Sequence, residues 1–161
     1  MRYIMRQKLF SLGDSFQIKN ENGDDAFAVQ GKAFSFAKQL SFQDLSGNAL
    51  LSIEQQLLSW KSTYEITKND QPVAVVKKEL FNVFSYRFSI DLSGSAPLQA
   101  TGNFLDHEYA ISRDDQTLAT ISKQWFSLTD TYGVDVGEGE DDVLILAITV
   151  VIDMVCHPDH K

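Results

Sequence analysis

The side chains best suited to metal binding or acid–base chemistry in this sequence are its three histidines, His107, His157 and His160. His157 and His160 flank Pro158-Asp159 near the end of the chain, where two imidazoles could chelate a metal ion if the segment folds back. A loose polar tail is the favoured interpretation, because chain ends are usually poorly ordered and two histidines alone are a weak metal signal. His107 precedes Glu108 and has no visible third partner for nucleophilic or general-base catalysis. The sequence therefore predicts no catalytic residue and no metal site.

An acidic segment precedes the most apolar part of the chain. Glu138, Glu140, Asp141 and Asp142 offer carboxylates to a calcium ion, but their spacing is not that of an EF-hand loop. A helix that begins here explains them better, because negative charge is favourable at a helix N-terminus and Asp141 or Asp142 can cap it.

A small group of basic residues is the candidate ligand patch. Lys77 and Lys78 are adjacent in sequence, and Arg87 lies on the next predicted strand. Three cations on neighbouring strands could bind a phosphate group. The alternative is a solvated barrel wall, because adjacent residues of a strand point to opposite faces of the sheet.

Composition narrows the class of protein. The chain has 161 residues with 14 Lys and Arg against 22 Asp and Glu, a net charge of −8 that opposes generic binding to nucleic acid or anionic membrane. A single cysteine, Cys156, excludes an internal disulfide and is typical of a reducing compartment. The N-terminus lacks the apolar core of a signal peptide. We therefore expect a soluble cytoplasmic protein. No phosphate loop, dinucleotide fingerprint, zinc motif or nucleophile elbow occurs, so no cofactor is predicted.

The longest apolar run, Val143 to Ile152, predicts a buried helix over about 141–156. Its β-branched residues favour a strand, but its length and its acidic start favour a helix. Apolar side chains on all sides of a helix indicate burial in a core or a membrane. The run is shorter than the roughly 20 residues of a membrane span, and Asp153 interrupts it, so no integral membrane span is predicted. We expect a barrel partner for Asp153, with Arg6 or Lys8 as candidates.

Regular turn signals divide the rest of the chain into about twelve short strands over about 2–136. Asn22-Gly23, Ser46-Gly47-Asn48, Asn69-Asp70 and Asp114-Asp115 separate alternating apolar segments. Hairpins without intervening helices predict an antiparallel sandwich or barrel. A barrel of about twelve strands has an interior that side chains alone fill poorly, and a helix of about 22 Å suits its height. The prediction is a mainly β protein of one domain, residues 1–161, built as a closed antiparallel barrel around the C-terminal helix.

Several short segments also carry a family resemblance, and each of them is unspecific when taken alone. They are Tyr3-Ile4-Met5-Arg6-Gln7-Lys8, Phe27-Ala28-Val29-Gln30-Gly31-Lys32, Asp44-Leu45-Ser46-Gly47-Asn48-Ala49-Leu50, Ile53-Glu54-Gln55-Gln56, Tyr64-Glu65-Ile66, Gly102-Asn103-Phe104, Ala119-Thr120-Ile121-Ser122-Lys123-Gln124-Trp125 and Asp130-Thr131-Tyr132. In this order, and with the apolar terminal helix, the chain resembles the small bacterial YxjI-like members of the LURP-one-related family. That family belongs to the tubby C-terminal-like superfamily, which also holds the phospholipid scramblases.

The resemblance implies a closed twelve-stranded barrel around a central helix, and it implies less about function. Tubby domains bind phosphoinositide headgroups through a basic pocket, whereas scramblases are tied to calcium and lipid movement. Neither set of contact residues matches this sequence position by position, so none is transferred. The leading hypothesis is a non-catalytic binding or scaffold module for a lipid headgroup or a protein. The alternatives are a scramblase-like lipid-translocating protein and an enzyme of unrecognised type. Because the basic residues are scattered, we expect weak or no phosphoinositide binding.

Overall fold

The computed structural model describes residues 1–10, 13–32, 37–57, 62–82, 85–125 and 131–157.

The turns between strands follow from local side-chain chemistry. Asn69 (φ 51°) and Asp70 (φ 63°) form a two-residue turn with the left-handed backbone that tight hairpins require. Asn20 and Asp44 hold two further turns, because the side-chain oxygen of each accepts N–H bonds from residues two and four positions later. These turns fall where the sequence predicts them.

Within the described ranges the chain forms twelve strands. They are β1 (Arg2–Phe10), β2 (Gly13–Asn20), β3 (Asp25–Gly31), β4 (Gln39–Gln43), β5 (Ala49–Gln55), β6 (Thr63–Lys68), β7 (Gln71–Asn82), β8 (Ser85–Leu92), β9 (Leu98–Asn103), β10 (Glu108–Arg113), β11 (Gln116–Ser122) and β12 (Thr131–Val136). Each strand pairs with its neighbour in the chain, and β1 also pairs with β12 in antiparallel register. The sheet therefore closes on itself, which confirms the predicted barrel.

One face of each strand supplies the core. At the seam that closes the barrel, Met5 of β1 lies opposite Tyr132 of β12, and these residues are 0% and 1% exposed. Burying one large apolar side chain stabilises the fold by about 1.5–3 kcal/mol. Other inward residues with no exposed surface are Ile18, Val29, Phe42, Ile66, Val76, Phe88, Ile90, Ala100, Ile111, Ile121 and Val134.

Helix α1 (Asp142–Cys156) occupies the interior of the barrel. Every residue from Ile145 to Met154 is buried, so side chains on all sides of the helix contact the surrounding wall. The Asp141 carboxylate caps the helix by accepting the Leu144 N–H at 3.1 Å. The predicted buried C-terminal helix is confirmed, and its acidic start provides the cap.

The first turn of α1 is tied to the barrel wall through β1. The Tyr3 hydroxyl donates a hydrogen bond to the Asp142 carboxylate. Burial, together with the hydrogen bond and the charge of Asp142, raises the pKa of Tyr3 far above its usual value. The hydroxyl therefore stays a donor at neutral pH, and it fixes the N-terminal end of the helix against the strand.

The length of α1 agrees with the length that the sequence predicts for it. Its 15 residues span about 22 Å at 1.5 Å per residue.

Among the described residues, no helix is both long and apolar enough to cross a lipid bilayer. The assignment of residues 1–161 to a single domain stays a prediction.

Candidate functional site

Lys77, Lys78 and Arg87, the predicted ligand patch, lie on β7 and β8. The Lys77 Nζ lies 3.8 Å from an Asp91 carboxylate oxygen, and the Arg87 Nε lies 3.9 Å from a Glu79 carboxylate oxygen. Both pairs are partly exposed and are of the kind that contributes little to stability. Two of the three cations therefore have acidic neighbours.

Lys78 points to the other face of the sheet. It lies directly opposite Phe88, which is fully buried, and its ammonium lies 4.1 Å from the centre of the Tyr86 ring. Residues directly opposite each other on paired strands share a face. The structure thus places Lys77 and Arg87 on the outer wall and Lys78 on the inner side. Binding of a ligand by these three residues stays a prediction.

A second group of residues converges where α1 ends. His107, Asp153 and His157, which we term the helix-end cluster, offer ligand atoms that all lie within 4.8 Å of one another. Asp153 belongs to the last turn of α1, and His157 is the residue that follows the helix. His107 lies in the turn between β9 and β10, with a left-handed φ of 51°. The turn directs the His107 side chain inward, and His107 is only 7% exposed. Asp153, on the helix, is only 3% exposed.

Ring stacking and hydrogen bonds set the geometry of the helix-end cluster. The His107 ring is stacked between Tyr132 and His157, with centroid distances of 4.2 and 4.4 Å. Its Nε2 lies 3.9 Å from Asp153 Oδ1. The Tyr132 hydroxyl donates to Asp153 Oδ2 at 3.1 Å. His157 Nε2 lies 3.2 Å from the Phe104 carbonyl oxygen. Each polar side chain of the cluster therefore makes a stacking contact or a hydrogen bond with another residue.

Aromatic rings pack around Phe104, whose carbonyl oxygen contacts His157. The Phe104 ring stacks on Tyr86 at 5.4 Å and meets Phe88 edge-on at 5.0 Å. It also lies 4.9 Å from Tyr109, and the Tyr86 hydroxyl lies 3.7 Å from Cys156 Sγ. Such an apolar wall lowers the local dielectric constant and strengthens electrostatic interactions inside it.

The phenol and thiol groups around Asp153 are kept neutral. Burial and the negative charge of Asp153 raise the pKa of Tyr109 and of Tyr132 well above the usual phenol value. Burial raises the pKa of the Cys156 thiol, and burial together with that thiol raises the pKa of Tyr86 to about 12. At neutral pH these groups carry no charge. These groups therefore add no negative charge to that of the Asp153 carboxylate, which lies 3.9 Å from His107 Nε2.

A groove of about 490 Å³ crosses the outer wall formed by β3 to β6. Its floor follows from strand register, because Ser41 lies opposite both Gln30 and Ser52, and Ser52 lies opposite Thr67. These hydroxyl side chains are short, whereas the neighbouring side chains are longer. Further lining residues are Gly31, Lys32, Gln39, Leu40, Gln43, Ile53, Glu54 and Asp70. The groove presents mainly hydroxyl, amide and carboxylate groups.

Comparison with known proteins places the chain in a family. A family model described as LURP-one-related matches residues 1–153. The chain belongs to the LURP-one-related family. It is 31% identical over 162 aligned positions to a Bacillus subtilis protein named "Uncharacterized protein YxjI", and the alignment covers 97% of this chain and 94% of that protein. The predicted resemblance is confirmed.

A solved structure shares the LURP-one-related fold of this chain. An X-ray structure of a protein from Arabidopsis thaliana superposes with a TM-score of 0.70 and covers 96% of this chain and 91% of that one. The sequence identity is 15%. At that identity the likeness shows the fold alone.

The sequence of this LURP-one-related protein signalled one member of the helix-end cluster. Asp153 interrupts an apolar helix, and the barrel partner expected for it is present as the Tyr132 hydroxyl, with His107 nearby. The sequence offered Arg6 or Lys8 of β1 as the partner of Asp153. Arg6 is exposed, and the side chain of Lys8 lies outside the described residues.

The two histidines were not linked to Asp153 by the sequence. The sequence paired His157 with His160, which lies outside the described part of the chain. Residues 104 and 157 are 53 positions apart, yet their groups lie 3.2 Å apart. No local pattern brings such positions together, so reasoning from the sequence missed this meeting of turn and helix end.

Proposed function

We propose that this LURP-one-related protein is a non-catalytic binding module that receives a polar segment of a partner protein in the groove across β3 to β6. The observation that supports this function is the position of α1. Because the helix fills the barrel interior, a ligand has to bind the outside of the wall or the rim. The groove, at about 490 Å³, is of a size that accommodates several side chains.

The chemistry of the groove fits binding better than catalysis. Ser41, Ser52 and Thr67 supply hydroxyls, but none of the described residues that line the groove is a histidine or a cysteine. A serine or threonine nucleophile needs an adjacent base, most often an imidazole. Hydroxyls and amides without such a base act as hydrogen-bond donors and acceptors.

The charges of the groove favour a protein segment over an anionic headgroup. Lys32 is accompanied by the carboxylates Glu54 and Asp70. A phosphorylated headgroup requires several cations that converge on one pocket. A peptide segment instead finds partners for its amide groups and polar side chains, in a setting typical of the polar part of an interface.

Filling the groove tests this function. We expect the Ser52→Trp variant to capture about tenfold less of a specific partner from native host cells, which corresponds to about 1.4 kcal/mol of binding free energy. The indole covers the short floor between Ser41 and Thr67, whereas the variant folds normally because position 52 is exposed. The measurement is quantitative mass spectrometry of proteins captured by the tagged chain, with thermal unfolding as a check on folding.

The matched control is Thr120→Trp. Thr120 is also an exposed hydroxyl residue on a strand, but it lies on β11, outside the groove. We expect it to capture the partner as wild type does. If the two tryptophan variants and wild type capture the same proteins in the same amounts, the groove is not the binding surface.

The same proposal predicts no specific phosphoinositide binding by the isolated protein. The chain carries 22 acidic against 14 basic residues, and Lys77 and Arg87 lie close to carboxylates. Screening over about 8 Å at physiological salt limits the long-range repulsion, so local geometry decides the outcome. Co-sedimentation with phosphoinositide-containing and neutral vesicles should give equal, low binding. Saturable micromolar binding that Lys77→Glu with Lys78→Glu abolishes would replace the protein partner with a lipid.

A further inference from the structure

Three side chains from two distant parts of the chain, the turn before β10 and the end of α1, meet at the C-terminal end of α1. We propose that His107, Asp153 and His157 bind one divalent metal ion of the zinc type. This inference does not depend on the groove. It concerns a small and mostly buried site, whereas the groove is an open surface feature. Its starting point is that one ligand atom from each residue lies within 4.8 Å of the others.

The hydrogen bond of His157 prepares its ring for a metal. The Phe104 carbonyl oxygen can only accept, so His157 Nε2, at 3.2 Å, is the N–H donor in that bond. In the neutral ring the lone pair then belongs to Nδ1. Histidines that bind metals almost always donate their other ring N–H to a carbonyl or carboxylate in this way, which fixes the tautomer and the ring orientation.

The Asp153 carboxylate is oriented in the same manner. The Tyr132 hydroxyl donates to Oδ2 at 3.1 Å, and Oδ1 lies 3.9 Å from His107 Nε2. One oxygen is thus occupied by a barrel residue, and the other faces the histidine side of the cluster. Carboxylates that bind metals are typically held by such outer hydrogen bonds.

The electrostatic setting also favours a cation. Asp153 is 3% exposed and lies in the last turn of α1, where the helix dipole opposes a negative charge. A buried charge is costly unless it is paired or coordinates a metal. A divalent ion at this position offsets both the carboxylate and the partial negative charge of the helix end.

The ligand set selects the class of metal. Two imidazoles and one carboxylate suit zinc and its first-row neighbours, whereas calcium takes six to eight oxygen ligands and magnesium prefers an octahedron of oxygens. Ligands about 2.0–2.1 Å from a tetrahedral zinc ion lie about 3.3 Å apart. The observed limit of 4.8 Å is longer, so metal binding requires the side chains to move together and the stacked rings of His107 and His157 to rotate relative to each other. Three protein ligands leave the fourth position for water.

Metal titration of the full-length chain tests the site. After treatment with a chelator, Zn²⁺ is added and binding is followed by calorimetry, with Co²⁺ as a spectroscopic probe whose visible absorption reports tetrahedral nitrogen and oxygen ligation. We expect one ion per chain. His107→Ala and His157→Ala should each weaken binding by about 100-fold or more, and Tyr132→Phe should weaken it by about 10–100-fold through loss of the bond to Asp153.

A control variant separates this site from chelation by the chain end. His160→Ala removes the histidine that the sequence pairs with His157, and it should bind Zn²⁺ as wild type does. Loss of binding in His160→Ala would assign the metal to the tail and overturn the proposal. The proposal would also be overturned if His107→Ala and His157→Ala left the Zn²⁺ affinity unchanged, or if the wild-type chain did not bind one Zn²⁺ ion. His157 is half-buried and follows the helix, so we expect the His157→Ala variant to fold. Its Zn²⁺ affinity still tests the site if the His107→Ala variant fails to fold.

Discussion

The Ile148→Asp variant should fail to fold cooperatively. Ile148 is in the middle of α1 and has no exposed surface. A carboxylate there is buried against the barrel wall without a partner, which costs several kcal/mol. That cost takes up most of a typical stability of about 5–15 kcal/mol. Thermal unfolding followed by circular dichroism should show no sharp transition.

Two controls on the same helix separate the charge from the position. Ile148→Val removes one methylene and should cost about 0.5–1.5 kcal/mol. Val143→Asp puts the same charge in the first turn, where Val143 is only half-buried and the helix dipole favours a negative charge. Both variants should unfold cooperatively. A soluble Ile148→Asp protein that melts near the wild-type temperature would contradict a helix enclosed by the barrel.

Replacement of Gly102 by alanine should also destabilise the protein strongly. Gly102 has a φ of 139°, a conformation that residues with a Cβ rarely adopt. An added Cβ would lie 2.7 Å from the Glu108 carbonyl oxygen and 2.7 Å from the Tyr109 Cα, and both are backbone atoms. Backbone strain and overpacking each cost about 1–3 kcal/mol, so we expect a loss of about 2–6 kcal/mol in chemical denaturation.

Gly47→Ala provides the matched comparison. Gly47 also has a positive φ, 86°, but a Cβ there would meet no atom within 4 Å. Its cost should be limited to backbone strain, about 1–2 kcal/mol. Equal losses in the two variants would show that the close approach of β9 to β10 is relieved without strain.

Because Gly102 lies opposite Tyr109 at the start of β10, the Gly102→Ala variant should also weaken Zn²⁺ binding at the neighbouring helix-end cluster.

Turn chemistry and periodicity were sufficient to predict the architecture. Asn69-Asp70 forms a turn where the sequence predicts one, and the alternation of polar and apolar residues from Tyr86 to Ile90 places Phe88 and Ile90 in the core. These signals are local, since they depend on backbone preferences and on which face of a strand is apolar. The run from Val143 to Ile152 specified a buried helix because its apolar residues cover every side.

The candidate sites depended on contacts that no local pattern records. Strand alternation predicted that Lys77 and Lys78 face opposite sides, but the acidic neighbours Asp91 and Glu79 are assigned by the register of β7 and β8. The floor of the groove likewise depends on register across four strands.

The sequence by itself determined the elements, the apolar helix and the need of Asp153 for a partner. Only the tertiary structure decided what that partner is. Closure of the barrel and entry of α1 bring the turn before β10 to the helix end, so that His107 and His157 lie beside Asp153. The physical reason is that burial selects which faces turn inward, whereas the depth and rotation of the helix within the barrel are set by packing all around the wall. That packing is a property of the whole chain, and no segment specifies it alone.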